Sequence, residues 1–394
     1  MNKKFVIPAV IILLVVIVAS FNMCSGSHVK LEHTKVEATK SENDSIDLRV
    51  YVENSGSMDA YMCAGSDLKD AVFDYVSDLK KASTSCSLYY INSKEIPYNN
   101  TLQSFIKDLT PQAFATAGGN RANTDLRTMF QTIMNNHSDK SVTVFISDCI
   151  LDIPEIATSF FGNCQVSIKN IFNDALAKNP NLGVQILKME SKFDGYWYCG
   201  KNSQKLSDVK RPYYIWVIGD KASLAKLNKL APVNDIYGGI KEYCAFSGKQ
   251  AIPFDIEKTT HVVGHTGNIN VQLLVNLHES LQDELTIKNI SQYKSSNPAQ
   301  TTIVNVEKIT ETNSPYSHVV ELCISNPETV KEETVTFSYP YLASWVEMSN
   351  DDTGDDIENN LDKTTGILYL IRGVAEAYKS SNDFGSITFN LKNK

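Results

Sequence analysis

The stretch LRVYVENSGSM, residues 48–58, decides the fold, because an apolar strand ends there abruptly in a polar turn. Residues 49–52 include β-branched and aromatic side chains, which favour a strand, and the Ser-Gly-Ser that follows stops the strand and opens a turn. The turn presents Glu53, Ser55 and Ser57 at alternating positions, so a tight loop is able to direct all three side chains to one spot. Oxygen ligands of this kind suit a hard cation such as Mg²⁺.

Two later segments supply further oxygen atoms. GGNRANTDL, residues 118–126, places Thr124 at the start of a helix, and VTVFISD, residues 142–148, is a buried-type strand that ends in Asp148. Open α/β folds bind ligands at the carboxyl ends of their strands, so we expect the three segments to converge on one rim. Simple turn and capping chemistry is the alternative explanation, because Ser and Asn also favour turns and helix N-termini.

The motif ENSGSM, residues 53–58, resembles the DxSxS motif of von Willebrand factor type A domains. Thr124 and Ser147-Asp148 resemble the downstream Thr and Asp of that family. The resemblance covers about residues 46–235 and implies an α/β fold with a doubly wound, mostly parallel sheet and a metal-ion-dependent adhesion site. The ion it implies is Mg²⁺, with Mn²⁺ or Ca²⁺ as alternatives. The ligands it implies are Glu53, Ser55, Ser57, Thr124 and Asp148.

The sequence departs from the family pattern at two positions: Glu53 replaces an Asp, and Cys149 replaces a Gly. In that family an acidic side chain of a protein partner completes the coordination of the metal, so the resemblance implies a binding protein and not an enzyme. Residues 59–65, 149–163 and 194–212 are candidates for partner specificity. A metal-free scaffold subunit of an envelope complex is one alternative, which Glu53 favours. A metal-dependent hydrolase is the weaker one, because no base and nucleophile accompany the site.

Strands alternate with helices through the rest of residues 46–235, which predicts a mostly parallel sheet covered on both faces. The further strands are expected at 86–92, 182–189 and 213–219, and the helices at 66–81, 102–109, 124–136, 166–177 and 222–230. Between the last two strands lies the aromatic run YWYC, residues 196–199. This run predicts either a partner-binding hot spot or a local mini-core.

The pattern changes from about residue 238, where strands follow one another without helices. It predicts a smaller β-rich domain over residues 238–394, such as an immunoglobulin-like sandwich, with one helix near 367–378. The strands are expected at 268–277, 301–306, 318–324, 334–339 and 386–391. Residues 347–362, the acidic segment, hold seven acidic side chains and no basic one. Their spacing does not match an EF-hand, so we expect a solvated loop rather than a Ca²⁺ site.

Residues 1–23 combine Lys3 and Lys4 with an uncharged apolar run, which is typical of a signal peptide or an N-terminal membrane anchor. Cys24 favours lipid attachment, and residues 24–45 are polar enough for a tether. We therefore expect a protein held to the membrane in the cell envelope, outside the cytoplasm. The net charge of −8, which becomes −10 without Lys3 and Lys4, argues against a nucleic-acid partner.

The chain has eight cysteines and no CxxC pair, so a zinc ribbon or a thioredoxin-type motif is not indicated. An exported location permits disulfides, and Cys149 with Cys164 would close a short loop beside the predicted metal. Buried free thiols are the alternative.

Overall fold

The computed structural model describes residues 29–34, 45–122, 125–153, 159–261, 267–311, 314–378 and 383–393. Across these ranges the helices are α1 Asp67–Lys81, α2 Leu102–Lys107, α3 Pro111–Ala117, α4 Leu126–Asn135, α5 Phe160–Lys178, α6 Lys221–Leu230, α7 Glu284–Lys288, α8 Ser344–Met348 and α9 Ile367–Ala377. The first strands are β1 Val29–Glu32, β2 Asp47–Glu53, β3 Ser85–Ile91, β4 Glu95–Tyr98, β5 Ser141–Ser147, β6 Leu182–Cys199, β7 Asn202–Asp220 and β8 Glu242–Ser247. The later strands are β9 Phe254–His261, β10 Asn268–Val275, β11 Tyr293–Ser295, β12 Thr301–Lys308, β13 His318–Ser325, β14 Glu332–Ser338, β15 Asn350–Asp351, β16 Thr364–Thr365 and β17 Asp383–Asn393.

A seven-stranded mixed sheet carries the candidate site, with the strand order β4-β3-β2-β5-β7-β6-β8. Strands β3, β2 and β5 run parallel, whereas β4, β7, β6 and β8 join through antiparallel pairings. The α/β prediction is therefore confirmed, but the prediction of a mostly parallel sheet is wrong. The short connection between β6 and β7 is the cause, because two strands joined by a tight turn pair antiparallel, whereas parallel neighbours need a long crossover. A doubly wound arrangement stays a prediction.

The side chains of the central strands alternate between two apolar layers. Val50 of β2 and Val144 of β5 point into one layer, where α1 and α6 pack. Tyr51 and Phe145 point into the other layer, which α4, α5 and α9 cover. This alternation follows from the two-residue period of a strand, and it explains why strands buried on both faces have almost continuously apolar sequences.

The second body is a β-sandwich of two four-stranded sheets, ordered β1-β17-β14-β11 and β12-β13-β10-β9 in the described residues. All of their pairings are antiparallel. Alternate residues of both sheets fill a third core, which includes Leu273 and Leu322 from one sheet and Phe337 and Phe389 from the other. The predicted strands of this region are thus present, and the immunoglobulin-like topology stays a prediction.

Three segments pack on a different body from the one that their position in the sequence predicts. Residues 29–32, which lie inside the expected tether, form β1 and pair with β17 of the sandwich. Strand β8, beyond residue 238, pairs with β6 of the seven-stranded sheet. Helix α9 packs in the core of that sheet and not in the sandwich. Sequence order alone does not reveal such exchanges, because a helical stripe is apolar whichever body it covers.

Residues 1–23, the predicted signal peptide or anchor, lie outside the described residues, as do Cys24 and most of the predicted tether. Among the helices of the described residues, none has the length and apolarity that crossing a membrane requires.

Candidate metal centre

The site lies where the parallel strands β2 and β5 end side by side. Val52 of β2 is in register with Ile146 of β5, so Glu53 and Ser147 occupy the ends of neighbouring strands. Asp148 follows directly. The carboxyl ends of parallel strands share one edge of a sheet, which is why two acids 95 positions apart in the chain meet here.

The turn after β2 is held by backbone hydrogen bonds from both sides. The amide of Asn54 donates to the carbonyl of Ile91 over 3.0 Å, and the amide of Gly56 donates to the carbonyl of Arg121 over 3.2 Å. A 3-10 turn, Ser57–Met62, then begins. These bonds bring the hydroxyls of Ser55 and Ser57 to 3.0 Å from each other. The alternating positions in the sequence therefore do place both hydroxyls together.

Four of the five predicted ligands form one cluster. The hydroxyl of Ser55 lowers the pKa of the Glu53 carboxyl, and the hydroxyl of Ser57 lowers the pKa of the Asp148 carboxyl. Ser147 also donates its hydroxyl to Oε2 of Glu53. The fifth predicted ligand, Thr124, lies outside the described residues.

The two acids of the cluster are buried, and their charges act on each other. Glu53 is 3% exposed and Asp148 is 1% exposed. Burial raises the pKa of the Glu53 carboxyl, and the neighbouring Asp148 raises it further. Burial also raises the pKa of Asp148. Oδ1 of Asp148 accepts a hydrogen bond from the amide of Ile150 over 3.2 Å, but the buried Oδ2 has no donor among the described residues.

Arg211 is the one positive charge that we find acting on Asp148 from within the described residues, where it lowers the pKa of that carboxyl. Its side chain is 1% exposed, and its Nη1 donates to the carbonyls of Asn360 and Leu361 over 3.2 and 3.1 Å. Arg211 thus acts on Asp148 through its charge, while its Nη1 hydrogen-bonds to backbone carbonyls. The hydroxyl of Tyr61, also buried, donates to the carbonyl of Pro212 beside it.

Arg121 fixes the outer side of the turn. Its Nε donates to the carbonyl of Asn54 over 2.8 Å, and its Nη2 donates to the carbonyl of Ser55 over 3.1 Å. The same guanidinium pairs with Asp59. These contacts direct Arg121 to backbone oxygens and to Asp59, so the hydroxyls of Ser55 and Ser57 stay free to face the acids.

Cys149, the residue after Asp148, has a left-handed backbone with φ 55°. Such a conformation favours glycine and is strained for other residues. The amide of Cys149 donates to the hydroxyl of Ser147 over 2.8 Å, and burial raises the pKa of its thiol strongly, which disfavours a nucleophilic role. Cys149 and Cys164 are both free thiols, so the disulfide between them is not formed.

The donor set fits a hard divalent cation. The cluster offers only oxygen ligands, from the carboxyls of Glu53 and Asp148 and the hydroxyls of Ser55 and Ser57, and Oδ2 of Asp148 has no hydrogen-bond donor among the described residues. In the described residues no cluster of three or more His, Cys, Asp or Glu side chains is able to hold a metal. A cation at this site would accordingly depend on hydroxyl ligands as well as on Glu53 and Asp148.

The β6–β7 hairpin continues past the edge of the sheet and over this site. Its inner face carries Trp197 and Cys199, both 2% exposed, whereas Tyr196 and Tyr198 are 52% and 45% exposed. The aromatic run is therefore a mini-core on one face and an exposed surface on the other, as the alternation along a strand requires.

The acidic segment packs against this hairpin instead of being fully solvated. Nδ2 of Asn202 donates to the carbonyl of Gly354 over 3.0 Å, and Nε2 of Gln204 donates to Glu358 over 2.5 Å. The carboxyl of Asp351 accepts from the amides of Thr353 and Gly354. Part of the segment is thus structural, which corrects the expectation of a purely solvated loop.

Sequence reasoning missed Arg211, Arg121 and the role of Ser147. Ser147 stands next to Asp148 at a strand end, and that position was the available signal. Arg211 sits between Lys210 and Pro212 in a stretch that reads as an insertion, so no pattern points to it.

No protein-family model matches this chain, and no curated protein matches it either.

Proposed function

We propose that this protein is a von Willebrand factor A-type binding protein. It holds a divalent cation among Glu53, Ser55, Ser57 and Asp148, with Thr124 as a further ligand, and binds an acidic side chain of a protein partner there. The observation that carries the proposal is the pair of buried acids: Glu53 and Asp148 adjoin each other, and Oδ2 of Asp148 has no donor within the described residues.

The physical argument is that a buried charge needs compensation. A buried carboxylate without a partner costs several kcal/mol or becomes protonated. A divalent cation would remove the mutual repulsion of Glu53 and Asp148 and give Oδ2 a ligand bond. When bound, the cation supplies positive charge that few direct carboxylates neutralise, which makes it attractive to the carboxylate of a partner.

The surrounding fold supports the same function. The acids lie at the carboxyl edge of β2 and β5, where α/β proteins place ligands. Cys149 occupies a left-handed position that suits the glycine of the family pattern. We further propose that the chain is exported and held at the cell envelope through residues 1–23 or Cys24.

A metal-free scaffold is the second candidate, because two protein groups already act on the acids. Ser147 donates to Glu53, and Arg211 faces Asp148. In this alternative, protonation of one acid replaces the cation. The two candidates differ in a single measurable property, which is the affinity for a divalent ion.

Mn²⁺ binding to the full chain, followed by electron paramagnetic resonance, separates the candidates. The proposal predicts one tightly held Mn²⁺ that Mg²⁺ displaces and that is lost in Asp148→Ala. It also predicts at least about 10-fold weaker Mn²⁺ binding in Ser55→Ala. Asp174→Ala, at an exposed acid on α5, is the matched control and should bind as the wild type does. Equal Mn²⁺ signals in the wild type and Asp148→Ala would support the scaffold and contradict the metal site.

A further inference from the structure

The outward face of the β6–β7 hairpin presents two tyrosine rings to solvent. Tyr196 and Tyr198 stack with their centroids 6.1 Å apart. They are among the few large apolar-type side chains of the described residues that remain about half exposed. Exposed, stacked tyrosines on a regular strand are typical of a contact surface, because they offer large area at little cost in side-chain entropy.

These rings adjoin the turn of the candidate metal centre. A Cβ built on Gly56, between Ser55 and Ser57, would lie 3.9 Å from Cε2 of Tyr198. On the inner face, a Cβ on Gly195 would lie 2.7 Å from the Cβ of Ala60, so the hairpin backbone presses closely on the 3-10 turn. A molecule that reaches Ser55 and Ser57 from solvent therefore passes beside Tyr198.

Lys205 brings a positive charge to the same face, and Asp194 is an exposed acid nearer the base of the hairpin. Lys205 pairs in register with Tyr196, and Tyr198 pairs with Ser203, so the directly opposed residues share one face. Lys205 is exposed and has no ion-pair partner among the described residues. Residues 195–207 contain no Asp or Glu, although the protein as a whole carries a net charge of −8.

Hydrogen bonds fix the hairpin to the segment after β5 and to the acidic segment. Sγ of Cys199 contacts the carbonyl of Leu151 at 3.8 Å, and the amide of Gly200 donates to Asp152 over 2.6 Å. The acidic segment holds the other strand through Asn202 and Gln204. The two acids that these side chains contact, Asp355 and Glu358, therefore lie on the inner side of the hairpin, whereas Tyr196, Tyr198 and Lys205 face outward. A surface that is ordered before binding loses less entropy when a partner arrives.

From this placement we propose that Tyr196, Tyr198 and Lys205 form the docking platform for an extended acidic segment of the protein partner. One carboxylate of that segment enters the metal centre, the apolar side chains that follow cover the tyrosines, and a second carboxylate pairs with Lys205. This inference rests on the proposed function, and it adds the chemistry of the partner: two acids with apolar residues between them.

The length of the platform sets the spacing of the two acids. Tyr198 and Tyr196 are two residues apart, about 7 Å along the strand, and Lys205 lies about 5 Å across from Tyr196. The direct span from Tyr198 to Lys205 is therefore about 9 Å. An extended peptide covers about 3.4 Å per residue, and the metal centre lies on the far side of Tyr198, so the acids should stand at least three residues apart.

Fluorescence anisotropy of the full chain with labelled peptides tests the platform. The probe is a ten-residue Gly-Ser peptide that carries Asp and Glu three residues apart with Leu and Pro between them. Its control peptide has Asn and Gln in place of the two acids. We expect the acidic peptide to bind in Mg²⁺ but not in EDTA, and the control peptide to bind at least 10-fold more weakly.

Three variants assign the binding to the platform. The double variant Tyr196→Ser and Tyr198→Ser, and the single variant Lys205→Glu, should each weaken the acidic peptide at least 10-fold while Mn²⁺ binding stays at the wild-type level. Tyr237→Ser, at another half-exposed tyrosine, should bind the peptide as the wild type does.

Two outcomes overturn the platform but leave the metal centre in place: unchanged peptide affinity in the platform variants, or no peptide binding at 1 mM by a wild type that binds Mn²⁺. Loss of Mn²⁺ binding itself, in contrast, overturns the proposed function.

Discussion

Among the buried acids of the described residues, Glu333 and the pair Glu53 and Asp148 have their charges compensated in opposite ways. Glu333, on β14 of the sandwich, is fully buried and is surrounded by hydrogen-bond donors. Asp148 and Glu53, at the edge of the seven-stranded sheet, are almost as deeply buried but adjoin each other. A buried charge is stable only where it is paired or hydrogen-bonded. Burial of the pair Glu53 and Asp148 is therefore less favourable than burial of Glu333.

The fold itself satisfies Glu333. Oε1 accepts from the hydroxyl and the amide of neighbouring serines, at 2.7 Å from Ser295 and 3.1 Å from Ser296. Oε2 accepts from Asn297 over 3.2 Å and from Thr301 over 2.5 Å. Since these donors belong to β11, to β12 and to the loop between them, the carboxylate ties the two sheets of the sandwich together.

The comparison teaches that burial alone does not identify a functional acid. Both carboxylate oxygens of Glu333 accept hydrogen bonds, and none of the residues that donate them is acidic. This arrangement is typical of a structural carboxylate. Asp148 lacks a donor at Oδ2 and is repelled by Glu53. The pair Glu53 and Asp148 therefore destabilises the fold until a positively charged group binds there.

The largest expected effect is at the structural acid. Glu333→Ala removes the common acceptor of four residues, among them the buried Thr301, and should lower the free energy of unfolding by about 3 kcal/mol or more. Urea unfolding measures it. Glu332→Ala, the exposed neighbour, is the matched control and should change stability by less than about 0.5 kcal/mol. If Glu333→Ala and Glu332→Ala both changed the free energy of unfolding only slightly, Glu333 would not be a structural acid.

The second effect has the opposite sign. In EDTA, Asp148→Asn removes the repulsion of Glu53 and should raise the free energy of unfolding by about 1 to 2 kcal/mol at pH 8. The stabilisation should be smaller at pH 5 than at pH 8, because burial and the neighbouring Asp148 raise the pKa of Glu53 to about 8 and keep that carboxyl neutral at pH 5. A destabilising Asp148→Asn in EDTA would mean that Arg211 already compensates this charge.

The pH dependence of the wild type follows from the same shifts. The folded protein holds protons on Glu53 and Asp148 above the pH at which the unfolded chain releases them, because burial raises both pKa values. The contribution of Glu53 and Asp148 to the free energy of unfolding in EDTA should therefore be most favourable at low pH. It should fall as pH rises above the ordinary carboxyl range, by up to about 1.4 kcal/mol per pH unit for each retained proton. Unfolding curves from pH 5 to 8 measure the slope, and a slope unchanged by Asp148→Asn would contradict the assignment.

The smallest effect compares two hydroxyls. Thr301→Val takes one donor from Glu333 and should cost about 1 kcal/mol with or without metal. Ser57→Ala removes the hydroxyl that stabilises the Asp148 carboxylate and should cost a similar amount without metal, and it should in addition weaken Mn²⁺ binding at least about 10-fold. If both substitutions changed only stability, Ser57 would be a structural hydroxyl like Thr301.

The sequence predicts much of the fold around β2 and β5, because strand periodicity and turn residues are local signals. The strands ending in Glu53 and Asp148 and the helices α1 and α4 are all present. The meeting of Glu53, Ser55, Ser57 and Asp148 was also predictable, since neighbouring parallel strands end at one edge.

The remaining features depend on long-range pairing. Strands β6 and β7 pair over their whole length as one hairpin, so they enter the sheet antiparallel and bring Arg211 to the site. Helix α9 and the acidic segment return from beyond the sandwich to cover the sheet and the hairpin. No local pattern distinguishes an apolar helix that covers its own domain from one that covers another.

Thermal unfolding of the full chain in EDTA and in Mg²⁺, for the wild type and Asp148→Asn, tests the central claim most directly. At about 100 times its dissociation constant, a bound ion stabilises the folded state by about 2.7 kcal/mol, which is readily seen as a higher midpoint. We expect this rise in the wild type and none in Asp148→Asn. Equal midpoints of the wild type in EDTA and in saturating Mg²⁺ would contradict it and would leave the buried acids as part of a metal-free scaffold.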